Sequence, residues 1–369
     1  MRLNVKKGKT LLVDGPASVS LLSGSVTVFG ARLKVDSRII VRTGKRLPFE
    51  VLRDAVFELA LSESSSYLEV EGSAIPKSWK DTVETLLHSK EPLSILVIGG
   101  VDSGKTGFCT YLANRGLEEK RRVAIIDGDV GQSDIGPPAT IGLARLKEPV
   151  VDLYGIYAEN IIFVGATSPS RALNASLNAF KTLKEKSSEM NVNLLIINTD
   201  GWIEGEEAID YKSQIVESLA PSAVVVLQEG DELEPLLKRM KSWRTFVIES
   251  PTIIRKRSQE MRRALRGLAY RKYLKDAKVR TYFLNCVKIG NSLGPLTETN
   301  LERRNMEKGL LVGLEDEKGV LLGLGILCSI DLERKSVKVY TPVNQKVGGI
   351  YIGQVKLNKD GKEIPPNQS

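Results

Sequence analysis

Histidine is almost absent from this chain: His88 is the only one among 369 residues. A single imidazole excludes histidine-clustered metal centres and leaves any histidine-based triad to one position. Cysteine is scarce too. Cys109, Cys286 and Cys328 lie far apart with no CxxC, which argues against both a disulfide framework and a thiolate zinc site. No apolar run reaches the about 18 residues of a membrane span. The N-terminal MRLNVKKGKT lacks a signal-peptide core. The expected compartment is therefore the cytoplasm, with no membrane partner. Catalysis is left to Asp, Glu, Lys, Arg and a metal with oxygen ligands.

What remains is an ordinary globular composition, 42% hydrophobic and 27% charged, in a chain with room for two or three domains. Its charge is unevenly placed. Lys and Arg total 53 against 45 Asp and Glu, a net of +8. The segment Arg255 to Arg280 holds 11 basic and two acidic residues, a net of +9, so the rest of the chain sums to about −1. Like charges packed this densely repel unless an anion is near, which points to a polyphosphate or nucleic-acid partner. Solvation of a helix face accounts for Arg271, Lys272, Lys275 and Lys278.

Residues 1–76 read as a small β domain, with TLLVDG, SVSLL, SVTVFGARLKV, RIIVRTG and YLEVEG as short strands between turns. A helix is predicted from Lys77 to Ser89, with Trp79, Val83, Leu86 and Leu87 on one stripe and His88 in its last turn. From Leu93 the pattern changes to continuous apolar runs alternating with amphipathic segments: LSILVIGG, VAIIDGD, NIIFVGA, NLLIINTDGW, SAVVVLQEG and RTFVIES. Runs such as Val224-Val225-Val226 are strands buried on both faces, as in a doubly wound parallel sheet. Ligands of such sheets bind at the carboxyl ends of strands, here after Ile98, Ile126, Val164 and Ile197. Residues 77–278 are thus expected to form an α/β P-loop domain. Residues 279–369 return to strand patterns, with LEDEKG as a hairpin turn and a loose polar tail, KEIPPNQS.

The chemistry begins at GGVDSGKT, which fits G-x-x-x-x-G-K-[ST] between a predicted strand and a predicted helix. Backbone N–H groups of Gly99, Gly100, Val101, Asp102, Ser103, Gly104, Lys105, Thr106 and Gly107 would cradle phosphate oxygens at a helix N-terminus. Lys105 would reach the β- and γ-phosphates of ATP, and Thr106 would offer its hydroxyl to Mg²⁺. Asp127 and Asp129 are expected just past the next strand, with Gln132 in the following loop. A carboxylate there holds Mg²⁺ or accepts a proton from an attacking hydroxyl.

Asn198-Thr199-Asp200-Gly201-Trp202 stands where a GTPase would carry N-K-x-D, and it lacks the lysine. Trp202, at a strand end beside glycine, reads either as core or as a stacking platform for a nucleobase. Ser258 is an N-cap candidate, with Met261, Leu265 and Leu268 as the buried stripe of the helix it opens. Arg257 precedes the cap, Arg262 lies in the first turn, and Arg262 and Arg266 share a face. Two arginines at a helix entrance can neutralise a phosphoryl group in transfer.

The order GGVDSGKT, IIDGDVGQ, FVGATSPS, NTDGW and RKRSQEMRRALR resembles the polynucleotide 5′-hydroxyl kinases, including the kinase subunit of the pre-mRNA cleavage factor and the pre-ribosomal-RNA processing kinases. The likeness is clear in the central domain and weaker in SLLSGSVTVFGARL and SIDLERKSVKVYTPV. The size resembles the compact stand-alone archaeal form. The resemblance implies transfer of the γ-phosphate of ATP to the 5′-hydroxyl end of RNA, with DNA left open. It makes Lys105, Asp129, Arg257 and Arg262 catalytic, with Thr106 and Asp129 at the metal. It places Gln132, Thr167, Thr199, Gly201, Trp202, Arg263 and Arg266 on the polynucleotide side, with Thr199, Gly201 and Trp202 as a T-x-G-W clasp. Val101 departs from the family's usual Thr, and Gly107 from a second hydroxyl residue. Two alternatives stay open on the sequence alone: a P-loop ATPase driving a protein partner, and a catalytically silent ATP-bound scaffold.

Overall fold

The computed structural model describes residues 1–291, 294–296 and 308–364, so residues 365–369 of the polar tail lie outside the described residues. The chain divides into two compact units. One comprises Met1–Ile125, Arg145–Ile156 and Ser187–Met261; the other comprises Ile126–Ala144, Tyr157–Lys186 and Arg262–Ser369.

The first unit opens with β1 (Arg2–Val5), β2 (Lys9–Asp14), β3 (Ala17–Val28), β4 (Ala31–Arg32), β5 (Arg38–Val41), β6 (Arg46–Leu61) and β7 (Ser66–Glu71). Their sheet runs β4-β3-β6-β2-β7, with β1 paired to β6 and β5 to β3. Two strands expected separately, SVSLL and SVTV, are one strand, β3. Its register against β6 slips between Leu21 and Val26. Gly24 sits in that stretch at φ 105°, where a Cβ would stand 2.5 Å from the Asp54 carbonyl. β6 itself was not legible in the sequence. Pro48 and the Arg53-Asp54 pair interrupt an alternation in which Phe49, Val51, Ala55, Phe57 and Leu59 enter the core.

α1 (Lys77–Leu87) follows, burying Trp79, Thr82, Val83 and Leu86. His88 caps its end, with Nδ1 2.6 Å from the Glu84 carbonyl oxygen. Next come β8 (Leu93–Gly99), α2 (Lys105–Glu118) and β9 (Val123–Gly128), which passes from the first unit into the second. In the second unit, β10 (Thr140–Leu146) pairs antiparallel with β11 (Asn160–Phe163). This pair departs from the all-parallel expectation. No helix intervenes between the two strands, so the chain returns as a hairpin-like connection rather than a parallel crossover. α3 (Leu173–Glu189) completes this part.

The first unit resumes with β12 (Leu194–Thr199), α4 (Glu206–Leu219), β13 (Ala223–Gln228), α5 (Glu234–Arg239) and β14 (Thr245–Glu249). β12, β8, β13 and β14 are parallel neighbours in that order. Val224, Val225 and Val226 are fully buried, as a strand covered on both faces requires.

α6 (Gln259–Tyr273) leads to β15 (Lys278–Phe283), β16 (Lys288–Asn291), β17 (Gly294–Pro295), β18 (Leu310–Glu315), β19 (Leu321–Asp331), β20 (Ser336–Thr341) and β21 (Gly349–Lys356). These strands form a sheet ordered β15-β20-β19-β18-β21-β16-β17, with β18 and β19 joined at the expected LEDEKG turn. Among the described residues, no helix is long and apolar enough to cross a membrane.

Candidate active site

The phosphate loop forms as the motif predicts. β8 ends at Gly99, and Gly104 takes φ 98°, a left-handed turn that opens α2. No side chain caps the N-terminus of α2, so its dipole and first N–H groups suit an anion. Lys105 is only 6% exposed, and its Nζ donates to the carbonyl oxygens of Gly99 at 2.9 Å and Gly100 at 2.6 Å. Thr106 is half-buried and Val101 exposed. Gly107, where the family more often carries a hydroxyl, has a steric reason: a Cβ there would lie 3.1 Å from Cε1 of Phe29. That ring sits in the turn between β3 and β4. Buried Asn114 of α2 fixes its backbone by donating to the Phe29 carbonyl at 2.7 Å and the Val150 carbonyl at 2.8 Å. Asn114 was missed because a polar residue inside a helix carries no distinguishing sequence signal.

The Thr199–Trp202 loop rests directly on the phosphate loop. A Cβ on Gly201 would stand 2.7 Å from Val101 Cγ2 and 2.8 Å from its Cα and N, so only glycine fits. Thr199 is fully buried and its hydroxyl donates to the Val97 carbonyl at 2.9 Å. Its side chain therefore braces the loop against β8 rather than presenting itself to a ligand. Trp202 is half-buried, and its ring lies 5.9 Å from that of Tyr211, tilted by 32°. Its backbone N–H donates to Asp200 Oδ1 at 2.9 Å. Beneath the loop, Lys212 Nζ lies 2.8 Å from Asp200 Oδ2 and donates to the Asp200 carbonyl at 3.0 Å. Lys212 was also missed, since a lysine on an amphipathic helix reads as a solvent-facing residue.

Arg257 is bound to the same phosphate loop. Its Nε and Nη2 donate to Asp102 Oδ1 at 2.9 and 2.7 Å, and its backbone N–H donates to Oδ2 at 2.8 Å. The segment leading to it is anchored from the N-terminal strands, because Arg46 Nη1 donates to the Ile253 carbonyl at 2.8 Å. Arg46 also forks Asp14, whose carboxylate lies 3.9 Å from Arg255 Nη1. Burial pushes the Asp14 carboxyl up. Hydrogen bonds from Arg46 and Ser66 and the charges of Arg46 and Arg255 outweigh that and hold it below the ordinary aspartate range.

The second unit gathers the remaining candidates. Asp127 lies inside β9 rather than past it; it is 2% exposed and accepts from Ser133 Oγ at 3.0 Å and the Asp134 N–H at 2.7 Å. It stitches the loop that carries Asp129. Half-buried Asp129 accepts through Oδ1 from the N–H groups of Gly131 at 3.1 Å and Gln132 at 3.0 Å. A Cβ on Gly131 would meet the Thr167 carbonyl at 2.9 Å, so Thr167 lies against this loop. Gln132 Nε2 donates to the Arg262 carbonyl at 3.2 Å, tying the loop to the first turn of α6. Ser258 caps that helix, its Oγ accepting from the Met261 N–H at 3.1 Å.

The expected stripe of α6 needs correction. Leu268 is 48% exposed, and the buried face is Gly267 and Tyr270. Gly267 lets the helix approach the C-terminal segment, with a Cβ there 3.5 Å from the Gly361 carbonyl. Arg266 pairs with Glu363 of that segment, Nη2 to Oε2 at 2.7 Å, and Arg263 Nε lies 3.7 Å from the same carboxylate. Burial disfavours the Arg266 charge, and Glu363, with smaller contributions from Tyr270 and Asp129, outweighs it. Glu363 was legible only as part of a polar tail.

Among the described residues, no three His, Cys, Asp or Glu side chains gather as a metal-binding cluster.

Residues 99–276 match the family described as the mRNA cleavage and polyadenylation factor CLP1 P-loop. The chain is 28% identical over 341 residues to the polyribonucleotide 5′-hydroxyl-kinase of Methanocaldococcus jannaschii, covering 79% of this chain and 94% of that one. It is 29% identical over 338 residues to the corresponding kinase of Pyrococcus abyssi, covering 79% and 95%. The Clp1 polyribonucleotide 5′-hydroxyl-kinase of Xenopus tropicalis is 23% identical over 387 residues, covering 90% of this chain and 87% of that one. In solved structures, the fold matches Clp1p from its complex with Pcf11p at a TM-score of 0.75, with 14% identity over 96% of this chain and 97% of that one. Residues 99–276 thus carry the CLP1 P-loop domain, and over most of its length the chain is similar to polyribonucleotide 5′-hydroxyl-kinases.

Proposed function

We propose that the protein transfers the γ-phosphate of ATP to the 5′-hydroxyl end of RNA, in RNA processing. The observation that carries this reading is the convergence of two elements on one phosphate loop: Gly201 rests against Val101, and Arg257 is hydrogen-bonded to Asp102. A simple nucleotide switch requires neither an indole platform nor an arginine at that loop. The names of the archaeal relatives supply the substrate class.

In this reading residues 77–278 are the kinase domain, flanked by an N-terminal β domain, 1–76, and a C-terminal β-rich domain, 279–369. Lys105 neutralises the β- and γ-phosphates, leaving its carbonyl partners for phosphate oxygens. Asp129 accepts the proton of the 5′-hydroxyl as its oxygen attacks phosphorus. Arg257 and Arg262 offset the charge on the equatorial oxygens during transfer. Trp202 stacks on the terminal base, while Gln132, Thr167, Arg263 and Arg266 hold the polynucleotide. Thr106 and Asp129 are the oxygen donors that would hold Mg²⁺, which would neutralise part of the phosphate charge.

The test is to incubate the protein with ATP labelled at the γ-position and matched oligoribonucleotides bearing either a 5′-hydroxyl or a 5′-phosphate. Label should appear on the first only, and chelation of divalent ions should stop it. Label on neither oligonucleotide would reject the reading.

A further inference from the structure

Lys212 is a long cationic side chain with no exposed surface, on a helix of otherwise ordinary amphipathic pattern. Taking an ammonium and a carboxylate out of water costs several kcal/mol per ion, and an apolar pair of similar volume is often at least as stable. Bulk stability is therefore a poor account of why these charges are buried here.

Geometry gives a better one. Lys212 Nζ holds Asp200 twice, at carboxylate Oδ2 (2.8 Å) and at the main-chain carbonyl (3.0 Å). The other carboxylate oxygen, Oδ1, accepts the N–H of Trp202 at 2.9 Å. The neighbouring residue on α4, Tyr211, lies against the Trp202 ring, and the Lys212 ammonium is 5.3 Å from the Tyr211 ring centre. One lysine thus fixes the rotamer of Asp200, and Asp200 fixes the backbone from which the indole projects.

We infer that Lys212 is a positioning residue for polynucleotide recognition: through Asp200 it holds Trp202 in the orientation that stacks on the terminal base. The inference rests on the kinase reading above. Lys212 touches neither the phosphate loop nor the reacting atoms in this arrangement, so its loss acts on RNA binding ahead of ATP binding.

The experiment measures, for the full chain, KM for ATP, KM for a 5′-hydroxyl oligoribonucleotide, the Kd of that oligonucleotide by fluorescence anisotropy, and Tm. Wild-type protein that transfers no phosphate would overturn the kinase reading itself. Given transfer, Lys212→Met should raise the RNA KM and Kd about tenfold, a fraction of the stacking energy of one base, with the ATP KM within about twofold. A fall in Tm with both KM values unchanged would make Lys212 a core residue only and overturn the inference. So would equal rises in both KM values.

Lys212→Met leaves the Asp200 charge without its partner and could unfold the chain, so two double variants carry the same question without a buried charge. Asp200→Asn with Lys212→Met keeps a carbonyl acceptor for the Trp202 N–H but loses the ammonium that holds it, and should bind RNA about threefold more weakly than wild type. Asp200→Ala with Lys212→Met removes the acceptor and should show the full loss. Equal RNA affinity in the two double variants would contradict the inference.

Discussion

Arg257 closes onto Asp102 with three hydrogen bonds, two from its guanidinium and one from its own backbone N–H. The pair is sheltered, with 20% of the arginine side chain and 5% of the aspartate side chain exposed. Asp102 itself takes φ 55°, a left-handed conformation that a non-glycine residue adopts at a cost. The arginine proposed to act on the transferring phosphoryl group is thus held by the phosphate loop, and in that reading a nucleotide's own charge would compete for it.

That competition is measurable. Asp102→Ala should free the segment around Arg257, and trypsin should cut after Lys256 or Arg257 several-fold faster than in wild type when nucleotide is absent. ATP should reduce the difference by giving Arg257 an alternative anion. Identical cleavage rates would show that the Asp102 contact does not restrain this segment.

The assigned roles differ in kind, and the kinetic losses should differ with them. Asp129→Ala should lower kcat for transfer by about 10²–10⁴, the range of a lost general base, with the ATP KM little changed. Arg257→Ala should cost about 10³ or more in kcat, as loss of a transition-state arginine does. Circular dichroism should show both variants folded. Near-normal turnover in Asp129→Ala would remove the base assignment.

Gly201→Ala tests the packing of two loops. The added methyl meets the Val101 backbone as well as its side chain, so Gly201→Ala should raise KM for ATP and RNA together. Trimming Val101 to glycine should not rescue it, because the Val101 N and Cα remain 2.8 Å from the new Cβ. Full rescue would mean that only the side chains collide.

How much of this was legible in the sequence follows from what each signal consists of. The phosphate loop, the buried valines of β13 and the Ser258 cap were readable because local patterns encode them. β6 was not, because exposed Arg53 stands at a position of core-facing parity and breaks its alternation. β10 was missed for a related reason: its pairing with β11 depends on a partner about 20 residues away along the chain. At the site, glycines and acids were found by motif, while Asn114, Lys212 and Glu363 were not. Each acts through a partner distant in sequence, and nothing in its immediate neighbours announces that partner.

A pH-dependent feature lies outside the site. Burial, reinforced by the charge of Asp316, pushes the Glu315 carboxyl up to about 7. The folded chain therefore keeps a proton that the unfolded chain releases near pH 4.3. The stability this group contributes is complete below about pH 4 and is lost as the pH rises through about 7. Glu315→Gln should match wild type in urea denaturation at pH 4 and exceed it at pH 8. The same gain at both values would contradict the assignment.

The most direct measurement is the fate of the γ-phosphate in a single turnover, with enzyme in excess over labelled ATP and a 5′-hydroxyl oligoribonucleotide present. The account predicts that most of the label becomes covalently attached to the RNA 5′ end, and that Asp129→Ala slows this by about 10²–10⁴. Release of the label as inorganic phosphate, at a rate indifferent to the RNA, would identify an ATPase and contradict the account.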